Sequence, residues 1–249
     1  NDPARKVLER PWEMLRRKLY RYATLVTANS HGSLQALAAY VDPHKLAFVP
    51  NPLTPYRNHR NNYHDPLFKF PFILTVGRLH PQKAHDVLLK AFSYLPEHLK
   101  EWRLAFLGKG ELKPTLQNEA QRLGIADRVE WYGQVQDPFP FYKAAKIFTL
   151  ASRYEGMSNA LMEAMSCGLP VIVSDACPGS LELVEHEKTG LVVPVDDPRA
   201  LAEAITRLAE DPALRKRLGK AAQQRVADFE VSKALAAWEQ TIGLKAPDE

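Results

Sequence analysis

Two cysteines, Cys167 and Cys177, are the only thiols in 249 residues. They are too few for a disulfide framework and lack metal-ligand spacing, so both read as small buried hydrophobes in a reducing compartment. No apolar run approaches the roughly 18 residues of a membrane-spanning helix. The opening, NDPARKVLER, has neither a methionine nor the apolar core of a signal peptide, and it reads as an excerpt from a longer protein. There is no basic stripe interleaved with aromatics, so nucleic acid is not an expected partner. The formal charge of +4 suits an anionic small ligand instead. No cluster of His, Cys and carboxylates has metal-site spacing, and neither a metal nor another cofactor is expected. A dinucleotide fingerprint is also missing: after Gly108 and Gly110 in LGKGELK, Lys113 stands where a third glycine would be. That stretch reads as a tight strand-to-helix turn, which disfavours an NAD-dependent oxidoreductase.

What is present is a globular composition, 45% hydrophobic and 25% charged, in a regular alternation. The first fifty residues read helix (PWEMLRRKLYRY), strand (ATLVTAN), helix (SHGSLQALAAY), strand (KLAFVPN). Residues 51–69 are rich in Pro and Asn, a linker composition. Then FPFILTVG, WRLAFLG, RVEWYG, KIFTLAS, PVIVSD and GLVVPV read as strands separated by helical segments. Such alternation means an α/β fold with a Rossmann-like parallel sheet covered by helices on both faces. Near-continuous apolar strands agree with burial on both sides. The tail is helical, with Asp197–Pro198 and Asp211–Pro212 as cap-plus-proline starts. The basic first helix reads as the solvated outer face of a layer, with an anionic membrane surface as the other reading.

Ligands of open parallel sheets bind beyond the carboxyl ends of the strands. After FILTV, the loop GRLHPQKAHD carries Arg78 and Lys83 before a helix; the pair is either an anion clamp or two solvated loop cations. His80 and His85 flank Lys83 and read as solvated. After KIFTLAS comes SRYEGMSNALMEAMSCG, with Glu155 and Gly156 in a loop, Ser158 or Asn159 as helix cap, and Glu163 inside the helix. Carboxylates accept hydrogen bonds but do not donate them, so such a pair suits hydroxyls, whereas cations and free N–H groups suit phosphate. Together they describe a sugar–diphosphate–ribose ligand, a nucleotide sugar.

The motifs VGRLHPQK, LGKG, WYGQVQD, SRYEGMSNALMEAMSCGLPVIVSD and TGLVVPVDD, in this order and spacing over about residues 70–230, closely resemble the carboxyl-terminal half of the family-4 retaining GT-B glycosyltransferases. The resemblance implies that Glu155 holds donor-sugar hydroxyls beside the reacting carbon and that Glu163 holds the ribose. It implies that Arg78 and Lys83, following Gly77, neutralise the diphosphate leaving group without a metal. Gly156, Met157, Ser158 and Asn159 would contact sugar and phosphate through their backbone, and Val135 would line the base. The sequence flavour leans toward UDP-sugars of polysaccharide, lipopolysaccharide or glycolipid assembly, with a saccharide or lipid-linked acceptor. The implied setting is cytoplasmic, at the inner face of the membrane where the acceptor is lipid-linked.

The same resemblance divides the chain into a remnant of the amino-terminal acceptor-side domain (1–52), a linker (53–69), the donor-binding domain (70–229) and a final helix (230–249) that crosses back, carrying Trp238. Most of the family's amino-terminal domain has no counterpart here, and its usual NG after the strand is Asn51–Pro52. The main expectation is therefore the donor-binding half of a transferase; the alternative is a non-catalytic nucleotide-sugar-binding module needing a separate acceptor subunit.

Overall fold

The computed structural model describes residues 10–53 and 65–243. Most of the expected linker, 54–64, lies outside the described residues, as do the two ends of the chain. Six strands form one parallel sheet: β3 (Phe72–Val76), β4 (Arg103–Leu107), β5 (Val129–Gly133), β6 (Ile147–Leu150), β7 (Val171–Ser174) and β8 (Leu191–Val193), in the order β5-β4-β3-β6-β7-β8. The chain winds outward from β3 to β5, returns to place β6 against β3, and winds outward again to β8. This is the doubly wound arrangement, whose order reverses between β3 and β6 and opens a crevice there.

The apolar runs become strands because alternate side chains find a core on each side. Ile73, Leu104, Phe106 and Ile172 pack into one cluster with residues of α3 (His85–Ser93), α4 (Lys113–Arg122) and α8 (Pro198–Glu210). Their neighbours Phe72, Leu74, Ala105, Leu107, Phe148, Leu150, Val171 and Val173 pack into the other, with α5 (Phe139–Ala144), α6 (Asn159–Ser166) and α9 (Pro212–Val226). Period-two alternation with both faces covered is what a buried parallel sheet requires. The cap-plus-proline starts hold: Asp197 accepts from the N–H groups of Arg199 and Ala200, and Asp211 from that of Leu214. Ser158 does not cap as expected. It occupies the N-cap position of α6, but its hydroxyl makes no capping hydrogen bond.

A smaller module precedes this sheet. Strands β1 (Val26–Ala28) and β2 (Leu46–Phe48) pair in parallel beside α1 (Arg10–Tyr20) and α2 (His31–Ala38). It touches the larger domain through α7 (Pro178–Leu181), where the Glu182 carboxylate accepts the His31 N–H at 2.6 Å. The reading of α1 as a charged, solvated face is incomplete, since Trp12, Met14 and Leu19 are all exposed on it. Leu53 bridges to Glu230 at the start of α10 (Val231–Ile242), whose Trp238 lines a cleft with Arg16, Tyr20 and Val26 of the small module. No described helix is long and apolar enough to cross a membrane.

Candidate functional site

The reversal of strand order makes the loops after β3 and β6 neighbours. After Val76 the backbone turns through Gly77, whose N–H donates to the Leu107 carbonyl at 2.9 Å. The LGKG turn braces it from the adjacent strand. Gly108 has φ +143°, and a Cβ there would lie 1.9 Å from the Gly77 carbonyl oxygen. The glycines of LGKG therefore serve backbone-to-backbone packing under the basic loop, consistent with a tight turn and not a fingerprint.

On the other side of the crevice, Gln82 clasps the loop after β6. Its buried amide donates to the Tyr154 carbonyl at 2.8 Å, and its own carbonyl accepts from the Arg153 N–H at 2.8 Å. Arg153 reaches the first turn of α3 and the loop after β8 by ion pairs to Asp86 and Asp196, each at 2.8 Å. With the loops so fixed, Lys83 and Glu155 form an ion pair between largely buried side chains. Arg78 beside them is exposed.

The resulting cleft has a volume of about 360 Å³ and is lined by Gly77, Arg78, Lys83, Glu155, Met157, Ser158, Asn159 and Ala160, with Asn51, Val76 and Gln82. It opens at the amino terminus of α6. Without a Ser158 cap, the first N–H groups of that helix have no side-chain acceptor among the described residues, which leaves them available to an anion. A local rule is broken where a ligand could complete it.

Of the residues singled out from sequence, seven line this cleft: Gly77, Arg78, Lys83, Glu155, Met157, Ser158 and Asn159. Gly156 is buried behind it. Glu163 lies one helical turn beyond Asn159 on the same side of α6, outside the cleft lining. Its Oε2 accepts from the Tyr142 hydroxyl at 2.9 Å, and burial raises its pKa above the usual carboxylate value. Val135 sits between β5 and α5, packed on the second core cluster and also outside the lining.

His85 corrects the expectation of a solvated side chain. It is buried, its Nε2 lies 3.1 Å from the Arg78 carbonyl, and its ring meets Phe106 edge-on. Nε2 must carry the proton to donate there, so Nδ1 is the bare nitrogen, and it has no partner among the described residues. Burial first, and then the Lys83 charge, push the imidazole down to about 4, against a raising contribution from the Arg78 carbonyl. Between pH 6.5 and 4 the unfolded chain therefore binds more protons at this site, and stability falls as pH falls through that window. The expected loss across the window is on the order of 3 kcal/mol. Urea denaturation at pH 7 and pH 5 should already show about 2 kcal/mol of it, and His85→Gln should flatten the difference; an equal slope in the variant would remove His85 as its cause.

Asn51 was not among the candidate site residues and stood out only as the first residue of the Asn51–Pro52 departure from the family's usual NG. Its Nδ2 donates to the Met157 carbonyl at 3.0 Å and to Asn159 Oδ1 at 2.8 Å, while its Oδ1 accepts from Asn29 at 3.0 Å. It thus ties the small module to the cleft loop. Asn51→Ala should weaken ligand binding about five- to tenfold, the loss of one to two net hydrogen bonds, with a smaller effect on thermal stability. Gln82 also went unread, although it lies in the loop that supplied Arg78 and Lys83.

A doubly wound sheet with cations, carboxylates and an uncapped helix at its switch point defines the nucleotide-binding α/β class. The sequence profile of the family described as "Glycosyl transferases group 1" matches residues 62–225, and the chain belongs to that family. It is 31% identical over 214 residues to a Campylobacter jejuni protein named N-acetylgalactosamine-N,N'-diacetylbacillosaminyl-diphospho-undecaprenol 4-alpha-N-acetylgalactosaminyltransferase, covering 85% of this chain and 58% of that one. Among solved structures it is similar to Anabaena HepE in complex with UDP, with TM-score 0.84 at 21% identity, over 98% of this chain and 70% of that one. It is also similar to sucrose-phosphate synthase from Thermosynechococcus elongatus, with TM-score 0.82 at 26% identity, over 98% of this chain and 63% of that one. The expected GT-B-type fold and membership of a glycosyltransferase family therefore hold. The chain spans about half to two-thirds of the length of the curated relatives it matches.

Proposed function

We propose that this chain is the donor-binding half of a retaining glycosyltransferase that takes a sugar from a nucleoside-diphosphate sugar, in the first instance a UDP-sugar, for a saccharide or lipid-linked acceptor. The observation that carries the reading is the convergence of Arg78, Lys83 and Glu155 on one cleft at the amino terminus of α6. The diphosphate lies against Arg78, Lys83 and the free N–H groups of α6, which stabilise its growing charge as the glycosidic bond breaks. These cations stand where a metal ion would otherwise sit. Glu155 accepts hydroxyl hydrogens of the sugar and favours the cationic character of the reacting carbon. The acceptor enters on the same face as the departing diphosphate, and the anomeric configuration is retained. Glu163 holds the ribose one turn further along α6. The Campylobacter relative's lipid-diphosphate acceptor and the UDP in the HepE structure support acceptor and donor class, respectively.

The second reading is a donor-binding module that meets its acceptor domain on another polypeptide. Calorimetric titration with UDP, GDP and ADP, with and without EDTA, tests the core of both. UDP should bind with a micromolar-range Kd that EDTA does not change. Failure of all three nucleotides to bind would overturn the assignment. Binding lost on chelation would overturn the metal-free clamp. Donor binding without transfer to any supplied acceptor would favour the module.

A further inference from the structure

Tyr142 is fully buried, yet its one polar atom is committed to the candidate site. The ring is held between Phe139 and Phe148, with centroids 5.8 and 5.9 Å away. Its hydroxyl donates to Glu163 Oε2 at 2.9 Å, and no other hydrogen bond to the Glu163 carboxylate occurs among the described residues. The donor comes from α5 and the acceptor from α6, so the contact fixes a carboxylate on one helix by a rigid ring on its neighbour. A half-buried carboxylate with one oxygen so held presents the other in a single direction.

We propose that Tyr142 is a positioning residue for nucleotide recognition: by occupying Glu163 Oε2 it aims Oε1 at the ribose hydroxyls. The inference rests on the assignment of Glu163 to the ribose made above. Burial favours the neutral form of Glu163, whereas the phenol's hydrogen bond favours the ionised, acceptor-only form. Burial and the Glu163 charge also hold the Tyr142 phenol well above its usual range, so it stays a donor. Without the phenol, the carboxylate is free to rotate and to take up a proton, and a diol no longer meets a preset acceptor. A tyrosine there for packing alone has no bearing on whether the ligand carries a 2′-hydroxyl.

The test compares whichever of UDP, GDP and ADP binds most tightly with its 2′-deoxy counterpart, using calorimetry on the wild-type chain, Tyr142→Phe, Glu163→Gln and the double variant. The wild type should prefer the ribonucleotide by about tenfold or more, as expected for a hydrogen bond to a charged group. Tyr142→Phe should cut the preference to within about threefold, and the double variant should lose no more than Glu163→Gln alone, because the tyrosine acts through the carboxylate. The ratio of the two affinities does not depend on the fraction of folded protein, so a destabilised variant still answers. If Glu163→Gln erases the preference while Tyr142→Phe retains it, this inference falls and the ribose assignment stands. If Glu163→Gln also retains the preference, or no nucleotide binds, the ribose assignment falls and this inference with it.

Discussion

Arg78→Met should lower kcat for sugar transfer by about 10²–10³ while leaving the melting temperature within about a degree, because in the proposed mechanism the group lost acts on charge that develops in the transition state. The Arg78 side chain is exposed and makes no hydrogen bond or ion pair among the described residues, so the folded protein loses nothing when the charge goes. Lys83→Met should cost a similar factor in rate but should also destabilise the fold by about 1–3 kcal/mol, since it leaves the largely buried Glu155 carboxylate without its counter-ion. Assays of donor turnover, paired with thermal melts, separate the two patterns. Equal stability losses would mean that Arg78 has a structural partner. An Arg78→Met enzyme with wild-type kcat would remove the residue from leaving-group stabilisation.

Gly179→Ala is expected to weaken nucleotide binding at least tenfold, although residue 179 lines no part of the cleft. A Cβ at that position would stand 2.4 Å from the Gly156 carbonyl carbon, 2.5 Å from its oxygen and 2.6 Å from the Met157 nitrogen. All three are backbone atoms, so no side chain can swing aside, and either α7 or the loop leading into α6 must shift. Overpacking of this kind costs about 1–3 kcal/mol. In a chain of this size each kcal/mol corresponds to about 2–4 °C of melting temperature. The informative result is the nucleotide Kd at a temperature where the variant is still fully folded. An unchanged Kd would show that the cleft loop keeps its shape without this contact.

The two predictions mark where the sequence was readable and where it was not. FPFILTVG and KIFTLAS could be read as strands because burial on both faces favours apolar residues at both parities, with only the buried threonines Thr75 and Thr149 interrupting β3 and β6, and the structure places the two strands side by side at the sheet's reversal. Their being neighbours is a property of topology, which local spacing does not encode; resemblance to a known family supplied it. Lys83 and Glu155 are 72 positions apart, and Asn51 and Met157 are 106 apart. Contacts across such distances leave no periodic trace. His85 was misread for a related reason: a histidine in a polar loop looks solvated until the fold lays Phe106 against its ring. Ser158 has the right chemistry for a cap in the right place, and only coordinates reveal that its hydroxyl does not take that role. Nothing in the sequence distinguishes Tyr142 from any core aromatic, because the partner of its oxygen, Glu163, lies on another helix.

The Glu182 carboxylate, which belongs to the larger domain, receives the first N–H of α2 in the smaller module, with the His31 ring 3.0 Å from its other oxygen. The helix keeps its own Ser30 cap, which accepts the Ser33 N–H at 3.1 Å, so a gaping seam strips only the added Glu182 acceptor from its first N–H. Parting the two bodies therefore costs roughly one capping interaction, about 0.5–2 kcal/mol, in addition to the Asn51 contacts. Those polar ties come to a few multiples of thermal energy, so they fasten the seam together with the packing of α2 on α7.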